Sequence, residues 1–390
     1  MFTSEQTSAT AVGDVPLPAS PVAAVRLRVF RSPVVDGVAM SFAPMTHRSM
    51  GVVEVELEDG RRGLGETWLN YPAWAWRERA ATVAEGVAPL LVGRTLATPA
   101  EAHALLGAAL RPLGRQWGAP GPVHQAISGV DTALWDLAAR HAGVPLAVLL
   151  AGTAVRRELP VYASSLGPDG VAATAERCAG AGHTAVKVKL GFGRDRDLEN
   201  LRTARRVLGD GVRLYGDANQ AWSLEEALAV VPALRDAGLE WLEEPITGDD
   251  PAELAELRRR GGLPLATGEN LYGAAAFAAY LERGSVDIVQ PDLSKVGGPT
   301  EYLRVAALAA GTGTTVNPHL YNGAVAAAAT LQVAAAVPAT TAVEWDVRGN
   351  RLRAAVDHLL TGHGTVRVPD GPGLGVDVDL DPLRDLEEHL

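Results

Sequence analysis

The first third of the chain alternates apolar and polar residues in three short runs, which predicts an antiparallel sheet. The runs cover residues 22–31, 51–57 and 63–68. Asp59-Gly60 lies between the second and third runs, and this dipeptide favours the tight turn of a β-hairpin. Apolar residues then recur at helical spacing over 76–91, 99–111 and 122–142. This part of the chain therefore predicts an α+β unit in which helices follow a sheet.

From about residue 158, short runs rich in β-branched residues alternate with amphipathic stretches. The predicted strands are 159–164, 184–190, 212–217, 239–243, 264–268, 286–291, 314–318 and 341–345. Eight strands with short connections favour an α/β fold, a modified TIM barrel of the (β/α)7β type. A doubly wound open sheet is the alternative. Such a sheet normally has a Gly-rich phosphate-binding turn after its first strand, and Ser164-Ser-Leu-Gly-Pro168 does not supply one.

The two chain ends and one long loop complete the predicted organisation. Residues 1–20 are rich in Ser, Thr, Ala and Pro without periodicity, which predicts a disordered tail. We expect an N-terminal capping domain over 21–150, the barrel over 151–360, and a C-terminal segment, 361–390, that packs back on the capping domain. The first two strands are joined by a loop of roughly twenty residues, 32–50. A connection of that length in a compact domain is usually functional or disordered.

Composition narrows the classes of function. Hydrophobic residues make up 47% of the chain and charged residues 21%, as in ordinary globular proteins. The net charge of −11 argues against nucleic acid or an anionic membrane surface as a partner, although a locally positive site can still bind a small anion. Cys178 is the single cysteine, which excludes an intramolecular disulfide and fits a reducing compartment. The sequence has no apolar run of about 18 residues and no secretory signal pattern, so we expect a cytoplasmic protein, and we also expect a homo-oligomer.

Ionisable residues stand at the carboxyl ends of seven consecutive predicted strands. In chain order they are Lys187 and Lys189, Asp217, Glu243, Glu269, Asp292, His319 and Glu344. One acidic residue in such a place is commonly only a helix N-cap, but capping does not explain seven in succession, and barrel enzymes build their active sites at this end. Lys187 and Lys189 face the same side of their strand. Enclosed in a cavity they would lower each other's pKa, so that one could act as a base; exposed, they would only mark a solvated strand.

Three of these carboxylates predict a metal site. Asp217, Glu243 and Glu269 come from consecutive strands, which lie about 5 Å apart, so their charges would repel one another strongly without a cation. Three oxygen ligands with room for water and substrate suit Mg²⁺, with Mn²⁺ as a possible substitute. Zinc is disfavoured because no cysteine or paired histidine is at hand.

Two candidate bases flank the predicted metal site. Lys189 and His319 belong to the second and seventh strands and so lie nearly face to face across the cavity. Asp292, on the strand next to His319, could orient the imidazole and raise its basicity. A carboxylate held between such bases could lose its α-proton, and the metal would stabilise the resulting enediolate. A protonated Glu344 could donate a hydrogen bond to the enediolate, and Lys187 could neutralise the other carboxylate charge.

The sequence resembles the enolase superfamily, and within it the mandelate racemase subgroup, over about residues 22–390. The matching motifs are 126–137 (AISGVDTALWDL), Lys187-Val-Lys189, Asp217-Ala-Asn219, Glu243-Glu-Pro245, Gly268-Glu-Asn270, 291–298 (PDLSKVGG) and His319. The resemblance implies that Lys189 is one base and the His319–Asp292 dyad the other. It also implies Mg²⁺ ligation by Asp217, Glu243 and Glu269, and an electrophilic role for Glu344. The similar muconate-lactonizing branch has a lysine in place of Asp292, and Lys295, one turn further on, is expected to be a supporting contact.

The resemblance leaves the substrate open. Most similar members dehydrate acid sugars, so our first expectation is a hydro-lyase that acts on a small-molecule carboxylate of that kind. Racemisation or epimerisation of an α-substituted carboxylate is the alternative. The candidate substrate-binding residues are Asn219, Lys295, Thr46, His47 and Arg48. The loop 32–50 and the Trp- and Tyr-containing stretch 68–76 would cover the barrel mouth, but the apolar residues of the loop count against a sugar acid.

Two further interpretations are less favoured. A non-catalytic binding protein could keep the metal site as structure, but no essential residue is missing from the sequence. An aldolase could form a Schiff base on Lys187 or Lys189, but that reaction would leave the three-carboxylate cluster unexplained.

Overall fold

The computed structural model describes residues 15–34, 40–152 and 155–389, and its N-terminal part contains the predicted antiparallel sheet. The sheet has the order β13-β1-β2-β3, with β1 (Val22–Pro33), β2 (His47–Leu57), β3 (Arg62–Thr67) and β13 (Glu387–Glu388). The predicted hairpin is present between β2 and β3. Gly60 has φ 84°, in the left-handed region that glycine enters without steric cost.

The connection between the first two strands is shorter than predicted. β1 and β2 pair as far as Pro33 and His47, so the loop begins at residue 34 and ends at residue 46, and residues 35–39 lie outside the described part. Polar residues at the start of β2 hid this pairing from the alternation pattern. Arg48 and Ser49 are buried there, and the Ser49 N–H donates to Asn70 Oδ1 at 2.7 Å.

The helices of the capping region lie close to their predicted positions. They are α1 (Ala75–Ala81), α2 (Ala88–Leu91), α3 (Pro99–Trp117), α4 (Pro120–Ala142) and α5 (Leu146–Ala151), with a π-helical segment, Thr82–Val87, between α1 and α2. Helix α4 packs directly on β3, where Gly63 and Gly65 permit the approach. A Cβ atom at either glycine would lie 2.0 Å from a carbonyl oxygen of α4. The long buried helix thus forms the middle layer between the sheet and the barrel.

The second part of the chain contains all eight predicted barrel strands, which are parallel. They are β4 (Glu158–Leu166), β5 (Ala185–Lys189), β6 (Arg213–Asp217), β7 (Leu239–Glu243), β8 (Leu265–Thr267), β9 (Ile288–Val289), β10 (Thr315–Val316) and β11 (Val343–Asp346). The curled sheet has the order β10-β9-β8-β7-β6-β5-β4-β11. Asn317 links its two ends, because Oδ1 accepts from the N–H groups of Thr341 and Ala342, both at 3.0 Å. The predicted α/β barrel with a capping sheet is confirmed.

Eight helices of the described chain follow the barrel strands. They are α6 (Val171–Gly180), α7 (Arg194–Leu208), α8 (Leu224–Asp236), α9 (Pro251–Gly261), α10 (Ala274–Glu282), α11 (Gly298–Thr312), α12 (Ala324–Ala336) and α13 (Ala354–Asp357). Tyr162, Tyr215 and Trp241 form an aromatic floor inside the barrel, with the last two rings stacked at 4.4 Å. Within the described ranges, every helix is too short or too polar to cross a membrane.

Both terminal segments pack on the rest of the chain. Strand β12 (Thr365–Arg367) pairs antiparallel with β4, and β13 pairs with β1, so the C-terminal segment contacts the barrel as well as the capping sheet. The predicted disordered tail, 1–20, is wrong for its described part, whereas residues 1–14 lie outside that part. Val15 and Leu17 are buried, and the Leu17 N–H donates to the Ala97 carbonyl at 2.8 Å. Two apolar residues are too few to produce a periodic pattern in the sequence.

Two buried carboxylates fix the capping helices and sheet to the barrel. Asp131 of α4 accepts hydrogen bonds from the N–H and the hydroxyl of Thr300, both at 2.8 Å, at the start of α11. Glu66 of β3 accepts from the N–H groups of Gly323 (2.7 Å) and Ala326 (2.8 Å) at the start of α12. Each carboxylate satisfies N–H groups that a helix leaves without an internal acceptor. Helices α11 and α12 begin just after the loops that carry Asp292 and His319, so these contacts hold both loops.

Candidate active site

The pairing of the barrel strands brings the predicted residues together at the carboxyl end of the barrel. Lys189 lies opposite Asp217 in the β5–β6 pair, and Asp217 lies opposite Glu243 in the β6–β7 pair. Because side chains alternate along a strand, these groups point to the interior, above the aromatic floor. All eight ionisable residues singled out at the strand ends lie within this cluster. Asp217, Glu243, Asp292 and Lys187 are at most 1% exposed.

Lys187 lies at the centre of the cluster. Its Nζ is 2.6 Å from Glu243 Oε2 and 3.0 Å from Glu344 Oε1. Burial lowers the pKa of Lys187, but the two carboxylates outweigh burial and raise that pKa well above its ordinary value. Lys187 does lower the pKa of Lys189, as predicted, but the neighbouring carboxylates outweigh this effect, so the net pKa shift of both lysines is upward. The charged form of Lys187 compensates its acidic neighbours.

Lys189 lies on the other side of Asp217. Its Nζ donates to Asp217 Oδ2 at 2.6 Å and to Asn219 Oδ1 at 2.7 Å, and Met40 Sδ is 3.4 Å away. Burial lowers the pKa of Lys189, and Asp217 more than compensates, so its pKa is raised. Asn219 has φ 43°, a strained conformation for a residue with a Cβ, and this conformation brings its amide to Lys189.

The predicted His319–Asp292 dyad is formed. His319 Nδ1 and Asp292 Oδ2 are 2.6 Å apart. Asp292 is held in turn by the Ser294 N–H and hydroxyl, both at 2.7 Å from Oδ1, and by the Asn322 amide at 3.3 Å. His319 Nε2 is 2.9 Å from Glu269 Oε2. Burial lowers the pKa of His319, but Glu269 and further carboxylates raise it to about 10.

The three predicted metal ligands lie on adjacent strand ends, but each makes its shortest ion pair with a different cation. Asp217 pairs with Lys189, Glu243 with Lys187, and Glu269 with His319. In the described residues no three such side chains converge on one point. Glu243 Oε1 is nevertheless buried without a hydrogen-bond partner in the described chain. This oxygen and the purely carboxylate donor set fit a hard divalent cation such as Mg²⁺.

An apolar cover closes the mouth of the barrel. Met45, Trp68 and Tyr321 form a buried cluster, and Val34, Met40 and Tyr71 pack against it. The Trp68 ring lies 5.7 Å from the His319 ring, and Lys295 Nζ lies 4.0 Å above the Trp68 ring. Ser41 tethers the cover to the barrel by donating to the Asn219 carbonyl at 2.9 Å. We call these six residues with Ser41 the lid cluster.

Comparisons with known proteins agree with this geometry. Residues 24–151 match the model of the mandelate racemase/muconate lactonizing enzyme N-terminal domain, and residues 170–382 match that of the enolase C-terminal domain-like family. The chain belongs to the enolase superfamily, in the mandelate racemase/muconate lactonizing enzyme subgroup.

Solved structures and characterised relatives support the assignment. A mandelate racemase/muconate lactonizing enzyme from Bordetella bronchiseptica RB50 is 39% identical, with a TM-score of 0.86 over 94% of this chain and 99% of that one. A racemase from Streptomyces coelicolor A3(2) with bound magnesium is 29% identical, with a TM-score of 0.83 over 94% and 100%. D-galactarolactone cycloisomerase from Agrobacterium fabrum is 33% identical over 87% of this chain and 91% of its own length. Arabinonate dehydratase from Saccharolobus solfataricus is 30% identical over 86% and 91%.

Three of the five predicted substrate-binding residues of this enolase-superfamily enzyme, Thr46, His47 and Arg48, lie at the start of β2 beside the lid cluster. Arg48 is buried in an ion pair with Asp346, at 2.7 Å, and lies 4.5 Å above the Tyr321 ring. Thr46 is exposed, and its hydroxyl contacts His47 Nδ1 at 3.2 Å. The contact of these side chains with a polyol or distal carboxylate stays a prediction. β2 begins earlier than expected, at His47, so that Arg48 lies within the strand and pairs with the barrel residue Asp346. Asn219 and Lys295 do lie in the cluster, the latter 3.9 Å from Glu269 Oε1.

The aromatic stretch 68–76 divides between lid and core in this family member. Trp68 and Tyr71 belong to the lid cluster, Trp76 is buried in the capping core, and Trp74 is 65% exposed. Sequence spacing could not separate these environments, since three of the four residues lie in the connection between β3 and α1 and Trp76 lies in the first turn of α1.

Several functional neighbours were not predicted from the sequence. Gln290 donates to Glu243 Oε2 at 2.6 Å, and its position two residues before Asp292 on one strand face could have revealed it. Asn322 and Ser294, which hold Asp292, lie in loops and carry no periodic signal. Glu244 accepts from Gln220 and Asn270, both at 3.0 Å, and adopts φ 39°. In the described chain, the non-glycine residues with positive φ all lie at or just beyond the carboxyl ends of barrel strands.

Proposed function

We propose that this enzyme removes the α-proton of a small carboxylate substrate, with Lys189 and His319 as bases on opposite sides of it. One observation carries the proposal. Lys189 contacts Asp217 at one end of the row of carboxylates, and His319 contacts Glu269 at the other end, with Glu243 between them. A carboxylate bound above this row would present its α-carbon to both bases.

The remaining residues of the cluster support this chemistry. Asp292 fixes the orientation of the His319 ring and stabilises its charged form. Lys187 and Glu344, 3.0 Å apart, would contact the substrate carboxylate as negative charge develops on it. Lys189 would release Asp217 when that carboxylate turns to a metal, and this release would lower the pKa of Lys189 toward the range of a base.

Asp217, Glu243 and Glu269 would hold Mg²⁺, or Mn²⁺ in its place. The bound cation would supply the positive charge that makes the α-proton of a carboxylate acidic enough to remove. The support here is the hard-oxygen donor set and the unpartnered Glu243 oxygen, together with the related racemase that contains magnesium.

For the overall reaction we propose dehydration of an acid sugar first. The support comes from similar proteins named arabinonate dehydratase and L-talarate/galactarate dehydratase. After α-proton removal by Lys189, the charged His319 would donate its Nε2 proton to the departing β-hydroxyl. Asn219 would orient Lys189, and Lys295 would contact a substrate hydroxyl beside Glu269.

Racemisation or epimerisation is the second candidate, and the lid cluster favours it. Met40 contacts Lys189, and Trp68 contacts His319, so the space above both bases is lined by apolar side chains. An α-substituted acid with a compact apolar group would fit this lining better than a hydrated polyol.

The test is a panel of aldonate, uronate and aldarate sugars and α-hydroxy acids, incubated with Mg²⁺-loaded enzyme in D₂O and followed by ¹H NMR. A 2-keto-3-deoxy product indicates dehydration, whereas deuterium at an inverted α-carbon indicates racemisation or epimerisation. The Asp217→Asn enzyme serves as the control, because it should retain the fold but neither activity. If no acid of the panel exchanges its α-proton, the proposal is refuted.

A further inference from the structure

A second cavity lies outside the candidate active site, between the capping helices and the barrel helices. Its volume is about 540 Å³. It is bounded by the end of α3, the start of α4, the segment before α10, and α11. The polar side chains that line it are Arg111, Arg115, His124, Tyr272, Glu301 and Arg304.

The cavity has an excess of positive charge in a chain whose net charge is −11. Three arginines face one carboxylate. Glu301 Oε1 accepts from Arg111 Nη2 at 2.9 Å and from Arg304 Nη1 at 2.8 Å, and its Oε2 accepts from the Ala274 N–H at 2.7 Å. Arg115 has no ion pair with any residue in the described ranges. Two positive charges therefore remain uncompensated.

Neighbouring histidines do not change this balance. Burial lowers the pKa of His124 and lowers that of His103, which lies 3.6 Å from Glu301, to about 4, so both rings are neutral at pH 7. His124 Nδ1 contacts the Pro120 carbonyl at 2.9 Å, which fixes the ring at the cavity wall.

The walls offer an apolar and aromatic surface beside the arginines. The rings of His124 and Tyr272 lie 6.0 Å apart with a tilt of 33°. The Tyr272 ring packs closely on Gly121, where an added Cβ atom would lie 2.9 Å from it. Pro120, Ala274 and Ala275 complete the lining. The start of α10, a nine-residue helix, adds the partial positive charge of its N-terminus.

We propose that this cavity is a binding site for a small organic anion, a molecule with one phosphate or carboxylate group and a small planar or apolar body. Glu301 holds two guanidinium groups in place by one nitrogen each, so their other N–H groups remain for an oxyanion, and Arg115 adds a third cation. The cavity shares no lining residue with the bases or the carboxylate row. Anion binding in this cavity is independent of the reaction proposed for the barrel mouth.

Isothermal titration of the full-length protein with inorganic phosphate, and separately with benzoate, tests the site. We expect saturable 1:1 binding of at least one probe, and the tighter of the two identifies the preferred group. Arg115→Ala should weaken that binding about tenfold, because it removes a charged donor, and Arg115→Glu should abolish it. Arg115 is an exposed side chain, so neither change should disturb the fold.

Arg283→Ala is the matched control, since Arg283 is an exposed arginine on another face of the barrel. It should leave both titrations unchanged. The proposal is overturned if neither probe gives saturable binding, or if the affinity is the same in wild type and both Arg115 variants. A loss as large in Arg283→Ala as in Arg115→Ala would also overturn it, because the effect would then be one of net charge.

Discussion

Replacing Asp131 tests how the capping region fixes the loop that carries Asp292. Asp131 accepts two hydrogen bonds from Thr300, and the Trp135 indole donates to the same hydroxyl at 2.9 Å. Asp131→Ala leaves the Thr300 N–H and hydroxyl buried without this acceptor, and each such loss costs about 1–3 kcal/mol. With the lost packing, we expect unfolding free energy to fall by about 3–5 kcal/mol. Asp131→Asn keeps the shape and one acceptor, so it should cost about 1 kcal/mol.

The same site predicts a pH dependence. Burial raises the pKa of Asp131 to about 8, which outweighs the opposite effect of the Thr300 hydrogen bonds. A carboxyl group whose folded pKa exceeds its unfolded pKa of about 3.9 contributes stability that is complete below the unfolded value and is lost as the pH rises through the folded value. Between pH 6 and 9 the unfolding free energy of the wild type should therefore fall by roughly 2–3 kcal/mol relative to that of Asp131→Asn, whose side chain does not titrate.

Urea unfolding followed by circular dichroism at pH 6 and pH 9 measures both effects. Asp59→Asn is the control, because Asp59 is an exposed carboxylate paired with Arg61, and its replacement should not reproduce either change. The proposed anchoring by Asp131 is refuted if Asp131→Ala lowers the unfolding free energy by less than about 1 kcal/mol, the low end for one unsatisfied buried group. If the difference in unfolding free energy between wild type and Asp131→Asn is the same at pH 6 and pH 9, Asp131 does not titrate in this range.

Three further predictions concern the metal, the domain interface and the dyad. Isothermal titration should show that Mg²⁺ binds at least about tenfold more weakly to each of the three metal-ligand variants, Asp217→Asn, Glu243→Gln and Glu269→Gln. The affinity should be unchanged in Glu58→Gln, which replaces an exposed carboxylate. Arg48→Met should lower the unfolding free energy by about 3–5 kcal/mol, because it leaves Asp346 buried without its cation. The double variant with Asp346→Leu should recover part of the lost stability. Equal stability of wild type and Arg48→Met in urea would contradict this prediction. Asn322→Leu should slow α-proton exchange by His319 about tenfold and leave the rate of exchange by Lys189 unchanged, because Asn322 contacts only the Asp292 of the dyad. Equal slowing of both exchange rates, measured by NMR, would count against a positioning role for Asn322.

The barrel could be predicted closely because its signals are local. The strand predicted over 184–190 is Ala185–Lys189 in the structure, and the strand predicted over 239–243 is Leu239–Glu243. Each is a short β-branched or aromatic run, and the alternation within it determines which side chains face the interior. The cluster of Lys189, Asp217 and Glu243 follows from that alternation and the parallel order of consecutive strands.

The parts that could not be predicted depend on contacts between distant segments. Arg48 forms an ion pair with Asp346, almost three hundred positions later in the chain, and Asn322 donates a hydrogen bond to Asp292 from the following loop. No local pattern in the sequence indicates such a partner. The sequence therefore does not distinguish a polar loop residue that binds substrate from one that forms a buried ion pair. Val15 and Leu17 are buried by contacts of the same kind, since the Leu17 N–H donates to Ala97, and two apolar residues give no periodic pattern in the sequence. The homo-oligomeric state and the cytoplasmic location stay predictions.

If Lys189 and His319 act on opposite faces of one substrate, as we propose, the two single variants should differ in which α-proton they exchange. With Mg²⁺ and a carboxylate that the wild type turns over, each variant is incubated in D₂O with each stereoisomer at the α-carbon and followed by ¹H NMR. We expect His319→Asn to exchange the α-proton of only one stereoisomeric series and Lys189→Ala to exchange only that of the other. Exchange of both series by His319→Asn at the wild-type rate would contradict this expectation.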